Sequence, residues 1–173
     1  ITTSGVWAVD PEVDNDGNVW FTAWQGNSIM ELERSTGNFK TYNTPVAPQG
    51  PAFCQFDPAR QNLYFSEWNG DKVGMVSLSS GQITEWPTGP GQTSGMGYDP
   101  NGYVWYVLNT GNKIGLLFPS NGTYIGEVVP TSAGMKDGGY VDQKNPGVFW
   151  FTETQASKIG KAEFGGGGGP VVT

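Results

Sequence analysis

The sequence predicts an all-β chain, a β-propeller built of four four-stranded antiparallel blades. Three observations carry this expectation. First, the stretch Asn18-Val19-Trp20-Phe21-Thr22-Ala23-Trp24 returns near Asn62–Trp68, Tyr103–Asn109 and Val148–Thr154, and the first aromatics of the copies are 44, 41 and 45 residues apart. A self-similar period of about 40–45 residues marks a repeat architecture. Second, each copy sits in a unit of short β-branched and aromatic runs punctuated by Gly, Asn, Asp and Pro, the signature of strands joined by tight turns. Third, no segment sustains the 3.6-residue apolar period of a helix.

Each unit reads as four strands. The first is a short apolar run ending in Asp10, Asp57, Asp99 or Asp142, with Pro after the first three. An Asp that recurs in every unit suits a turn, where its carboxylate accepts backbone N–H groups. The second strand is the repeated stretch, covering residues 19–22, 63–66, 104–107 and 148–151. It should be central and buried on both faces, with Trp20, Trp105 and Trp150 packing between blades. A Gly-polar turn follows, such as Gly26-Asn27 or Gly70-Asp71, where positive φ is tolerated. The third and fourth strands then run through Ile29, Val73, Ile114 and Ile159 and through Tyr42, Trp86 and Val128.

The units span approximately 5–49, 50–94, 95–134 and 135–173. Residues Ile1 to Gly5 resemble Gln92 to Gly95, so the chain is expected to start at a blade junction, as a processed or truncated chain would. The five glycines Gly165 to Gly169 cannot define a strand, since each carries maximal backbone entropy. Pro170-Val171-Val172-Thr173 can supply the outer strand of the last unit.

Composition narrows the function classes. Only 14% of the 173 residues are charged, the net charge is −7, and His is absent. Without a basic block, nucleic acid and anionic membranes are unsuitable partners, and no run of about 18 apolar residues exists to span a bilayer. Cys54 is the only cysteine, which reads as a buried thiol and offers no intrachain disulfide. Asn121-Gly122-Thr123 is a glycosylation sequon at an expected hairpin turn. With the acidity it points to a secreted, extracellular glycoprotein. Nucleophile-elbow, phosphate-loop and zinc-helix motifs are missing.

The pattern Asp-Pro-x-Gly-Asn-Val-Trp-Phe-Thr-Glu, then Asn-Lys-Ile-Gly, then Ile-Thr-Glu-Trp-Pro-Thr resembles the repeat of streptogramin B (virginiamycin B) lyase-like propellers. NHL-repeat and gluconolactonase-type propellers are its relatives. Residues 62–74 and 148–160 match best, and the resemblance covers nearly the whole chain. It implies a ring that usually closes seven blades, a divalent cation held by acidic residues, and elimination chemistry performed by a His with a Glu. By this resemblance Glu67 and Glu153, which occupy the Glu of the Trp-Phe-Thr-Glu motif, are candidate metal-facing residues. Ala23 and Leu108 stand at the other two copies, and the chain has no imidazole to serve as a base. A base near neutral pH would have to be a tuned Glu or Lys.

With the first strand innermost, the loop between strands two and three shares a face with the linker between blades. That face gathers Trp24, Glu67, Trp68, Asn69, Asn109 and Glu153 as candidate ligand-binding residues, with Gln49, Gln92, Lys136 and Asp137 from the linkers. An exposed Trp beside amides suits a sugar, the ring covering C–H groups and the amides bonding hydroxyls. The sequence therefore points first to a secreted, lectin-like propeller binding a sugar or other small neutral ligand. The alternative is a portion of a lyase-like or lactonase-like enzyme whose catalytic residues lie outside this chain. With no His and one Cys, any bound divalent cation would be oxygen-ligated, hence Ca²⁺ or Mg²⁺. A blade left without a neighbour would expose a large apolar face. Self-closure, further blades, or a second copy of the chain would each cover it.

Overall fold

The computed structural model describes residues 5–131, 136–166 and 168–173. The expectations placed on Ile1 to Ser4, on Met135 and on Gly167 lie outside the described residues. Among the described residues sixteen strands form four antiparallel meanders. Blade 1 holds β1 (Ala8–Val13), β2 (Val19–Ala23), β3 (Ser28–Leu32) and β4 (Phe39–Asn43), and blade 2 holds β5 (Pro51–Phe56), β6 (Asn62–Glu67), β7 (Lys72–Ser77) and β8 (Ile83–Pro87). Blade 3 holds β9 (Thr93–Tyr98), β10 (Val104–Leu108), β11 (Lys113–Phe118) and β12 (Thr123–Val128). Blade 4 holds β13 (Lys136–Val141), β14 (Val148–Glu153), β15 (Lys158–Glu163) and the two-residue β16 (Val171–Val172), which pairs with β15. The innermost strands pack in chain order, β1 on β5, β5 on β9 and β9 on β13.

Burial follows from this stacking. Between blades 1 and 2 lie Trp20, Phe56 and Phe65; between blades 2 and 3, Tyr64, Tyr106 and Leu117; between blades 3 and 4, Trp105, Phe149 and Phe151. Successive residues of a strand point to opposite faces, so each aromatic pair of the repeat sends one ring forward and one back. Trp105 stacks on Phe149 with centroids 5.5 Å apart and planes 3° from parallel. In blades 2, 3 and 4 the backward ring lies over a cross-strand glycine. A Cβ on Gly74, Gly115 or Gly160 would fall 2.2, 2.0 or 2.1 Å from the ring of Phe65, Tyr106 or Phe151. That contact accounts for the Val-Gly and Ile-Gly of the repeat.

Two expectations are corrected. Trp150 is 41% exposed, although the repeat equates it with the buried Trp20 and Trp105. It faces forward from blade 4, beside Tyr140 and Ile159, where none of the four described blades covers it. Among the described residues β1 and β13 share no packing like that between neighbouring blades, so the four blades do not close on themselves. The second correction concerns Asp10. Asp57, Asp99 and Asp142 each accept backbone N–H groups of the turn that follows, as expected. In blade 1 that role belongs to Asp14, whose Oδ1 accepts Asp16 N and Asn18 N and whose Oδ2 accepts the indole N–H of Trp20. Asp10 instead lies in a β-bulge with φ of +48°, and its carboxylate crosses to blade 2 to accept the N–H of Cys54.

Every innermost strand carries such a bulge. In β5, β9 and β13 it falls on the same row, opposite the end of the second strand. In β1 it lies one row further along. A bulge adds an unpaired residue and bends its strand, which turns each linker over the face where the second strand ends.

Candidate functional site

That face is built from the four loops between the second and third strands and from the linkers between blades. The loops share one device. Asn27, Asp71, Asn112 and Ser157 all adopt left-handed φ, from 50° to 54°. Asn and Asp tolerate this conformation, and their short side chains bond nearby backbone. Asn27 Oδ1 accepts the N–H of Gln49, and Asp71 Oδ1 accepts those of Gly91 and Gln92. Each of these loops is thereby tied to the linker leading into the next blade. Backbone bonds to the linker leading into its own blade complete the frame, from Trp68 N to Gly50 O, Asn69 N to Gln49 O, and Asn109 N to Gln92 O.

Within the frame the sequence-predicted residues fall into two groups. Trp24 and Trp68 come together where blades 1 and 2 meet, half-buried, with ring centroids 5.5 Å apart and planes tilted by 55°. Exposed Asn69 lies beside them, and Gly50 passes between: a Cβ there would sit 2.9 Å from Asn69 Nδ2 and 3.4 Å from Trp24. Asn109, Lys136 and Glu153 form the second group, between blades 3 and 4. Lys136 N donates to Asn109 O, and Lys136 Nζ lies 3.6 Å from Glu153 Oε2. All three are buried.

Glu67 belongs to neither surface. It is wholly buried at the end of β6, facing Lys72 on β7 and Glu85 on β8. Lys72 Nζ reaches Glu85 Oε2 at 2.5 Å. Burial, and then the neighbouring Glu85 charge, push the Glu67 carboxyl up to about 8, against the smaller opposing pull of Lys72. Gln49 comes to the same place from the linker: a Cβ on Gly70 would strike Gln49 Oε1 at 1.8 Å and approach Glu67 Oε2 to 3.1 Å. Lys72 and Glu85 stand in the repeat motifs, but nothing in the sequence joins them to Glu67, because cross-strand register alone brings the three together.

Among the described residues, the buried side-chain atoms without a hydrogen-bond partner are oxygens of Gln49, Glu67, Glu85, Asn112, Asp137 and Glu153, together with both amide atoms of Asn109. All belong to the loops, linkers and strand ends of this one face, apart from Glu85, whose carboxyl reaches up to Lys72. Buried polar groups are ordinarily paired. The opposite face differs. Its recess of about 190 Å³ is lined by groups that already have partners: Gln55 accepts Tyr98 N, Gln143 donates to Tyr98 O, and Arg60 bonds Val13 O.

A divalent-cation centre does not fit these residues. Glu67 and Glu153 lie on different blades, each beside its own lysine, and no three His, Cys, Asp or Glu side chains converge among the described residues. What the face offers chemically is an aromatic pair, several unsatisfied amides, and one buried carboxyl pushed up to about 8.

The sequence model of the Virginiamycin B lyase family matches residues 3–167. No curated protein sequence matches the chain. Among solved structures, a catalytically inactive virginiamycin B lyase from Staphylococcus aureus with quinupristin superposes with a TM-score of 0.84 at 24% identity, covering 100% of this chain and 56% of that one. A streptogramin B lyase structure gives 0.86 at 25% identity, covering 99% of this chain and 56% of the other. A chain of a nidogen/laminin complex gives 0.75 at 15%, covering 99% and 66%. The chain thus spans a little over half the length of the lyase structures it matches.

Proposed function

The chain belongs to the virginiamycin B lyase family, and from that premise we propose that it supplies four blades of a lyase-type propeller that bind a ligand of the quinupristin kind on the face described above. One observation carries this reading, the concentration of unpaired buried polar atoms on that face. Groups left unsatisfied at the mouth of a fold are supplied with partners by a ligand or by ordered water. Trp24 and Trp68 offer apolar contact, and Asn69 and Asn109 offer donors and acceptors for a ligand's polar groups. The blades bind and orient. The elimination base belongs to residues outside them, since the chain has no His.

The test is titration of the purified chain with quinupristin, followed by indole fluorescence. Saturable quenching is expected, weakened at least tenfold in Trp68→Ala, which corresponds to about 1.4 kcal/mol. Binding unchanged in both Trp24→Ala and Trp68→Ala would remove these residues from the site.

A second reading is favoured by the half-exposed indoles beside exposed Asn69, a surface suited to a carbohydrate. A glycan array separates the two: sugar binding that survives saturating quinupristin would favour it. In either reading we place the protein outside the cell. Asn121 sits exposed in the β11–β12 turn, accessible to glycosylation. A mass decrease on deglycosylation of material from the native source would support that placement.

A further inference from the structure

We propose that Glu67 and Glu85 share a single proton, and that this proton latches the loop carrying Trp68 and Asn69 to the body of blade 2. Glu67 is wholly buried, and neither of its oxygens has a partner; Glu85 Oε1 also lacks one. Two carboxylates are acceptors only and cannot satisfy each other unless one is protonated. The cluster holds two carboxyl groups and one ammonium, Lys72, so without a bound proton it would bury a net negative charge. With the proton, Glu67 donates to Glu85 Oε1 while Lys72 holds Glu85 Oε2.

Among the described residues no other charged group relieves the pair. Lys72 faces it from β7 and Glu85 from β8. The linker contributes only the uncharged Gln49, whose side chain borders Gly70 beside Glu67. Asp71, in the same loop, is committed to the N–H groups of Gly91 and Gln92. Gln49 Oε1 is itself buried without a partner.

The loop is placed by this cluster. Glu67 is the last residue of β6, Trp68 and Asn69 follow it directly, and Lys72 opens β7. When the proton leaves to solvent, only an O–H bond breaks, and the carboxylate left behind repels Glu85. The loop then loosens, and Trp68 loses its seat against Trp24. The latch stands without any ligand; only its effect on binding rests on the reading above.

The experiment follows the ligand-free full chain from about pH 6 to about pH 9 by indole fluorescence and by melting temperature, together with the infrared band of a protonated carboxyl. One fluorescence step near pH 8 is expected, with the carboxyl band disappearing across it; the melting temperature falls as pH rises towards the step, where only the folded chain holds the proton, and levels off above it. Glu67→Gln keeps a donor and cannot ionise, so it should abolish all three changes. Glu85→Gln removes the charge that holds the proton on, so it should move the step to lower pH. A wild-type chain with no step, or a step retained in Glu67→Gln, overturns the latch. If Glu67→Gln does not fold, an unmoved step in Glu85→Gln overturns it equally. Quinupristin affinity measured on either side of the step then tests the link to binding; a pH-independent affinity beside an intact step would leave the latch and remove Trp68 from the binding loop.

Discussion

Asp14 shows how much one side chain organises. Burial alone would raise its carboxyl, yet hydrogen bonds from the Trp20 indole, from Asn18 and from Asp16 N together hold it below the usual carboxylate range. Trp20 is 2% exposed, so Asp14→Ala leaves a buried indole N–H unpaired, which costs about 1–3 kcal/mol. The sign of the pH dependence follows. A depressed folded-state value means that the stabilisation is complete above the unfolded value of about 4 and fades as pH falls through the folded one. Urea denaturation should therefore show the full difference between wild type and Asp14→Ala at neutral pH and a shrinking one below about pH 4. A difference that grows on acidification would contradict the assignment. The sequence hid this residue because Asp10 is followed by Pro, like Asp57 and Asp99. Counting back six residues from the aromatic, as from Trp105 to Asp99, leads instead to Asp14.

At the scale of elements, the glycine under the backward-facing ring of blades 2, 3 and 4 was visible in the repeat, but its reason was not. Gly115 lies where a Cβ would meet the Tyr106 ring, and that ring's hydroxyl donates to Thr88 O, which limits its retreat. Gly115→Ala should destabilise the chain by about 1–3 kcal/mol through overpacking, read as a lower denaturation midpoint with an unchanged m-value. Blade 1 has Met30 at this position, paired with Phe21, whose ring meets Phe39 edge-on at 6.1 Å. Cys54 gives a second test. It is buried where blade 1 meets blade 2, and its thiol is pushed well up by burial, then by Asp10 and Glu12. It should resist thiol reagents at about pH 8 until denaturant is added; rapid labelling of the folded chain would mean that the first two blades part readily. The aromatic pairs, turns and strand order were legible because each is local or periodic. The Gln49, Lys72 and Glu85 cluster was not, because register across three strands and a linker assembles it.

At the scale of the molecule, Trp105 and Trp150 occupy the same place in the repeat and differ only in having a blade beyond them. Trp105 is fully buried against Phe149, whereas Trp150 lies 41% exposed with Lys161 Nζ 5.7 Å from its ring centroid. Trp105→Ala should cost about 3–5 kcal/mol, as for other buried aromatics. Trp150→Ala should cost at most about 1 kcal/mol in this chain, and much more wherever another blade covers the face. Equal losses at the two positions, measured side by side by guanidinium denaturation, would show that this chain covers its own blade 4 in solution, for example by pairing with a second copy.

Contacts that join only neighbouring blades also shape how the chain comes apart. Each interior blade is held from both sides, while the terminal ones are held from one, and β16 clasps blade 4 with two residues. A stack of this kind behaves as a one-dimensional array, its stability a sum of unit and nearest-neighbour terms. Such a chain frays from its ends rather than melting at once. Amide protons of β14 and β15 should therefore exchange through partial openings well before those of β6 and β10, with blades 2 and 3 the last to yield.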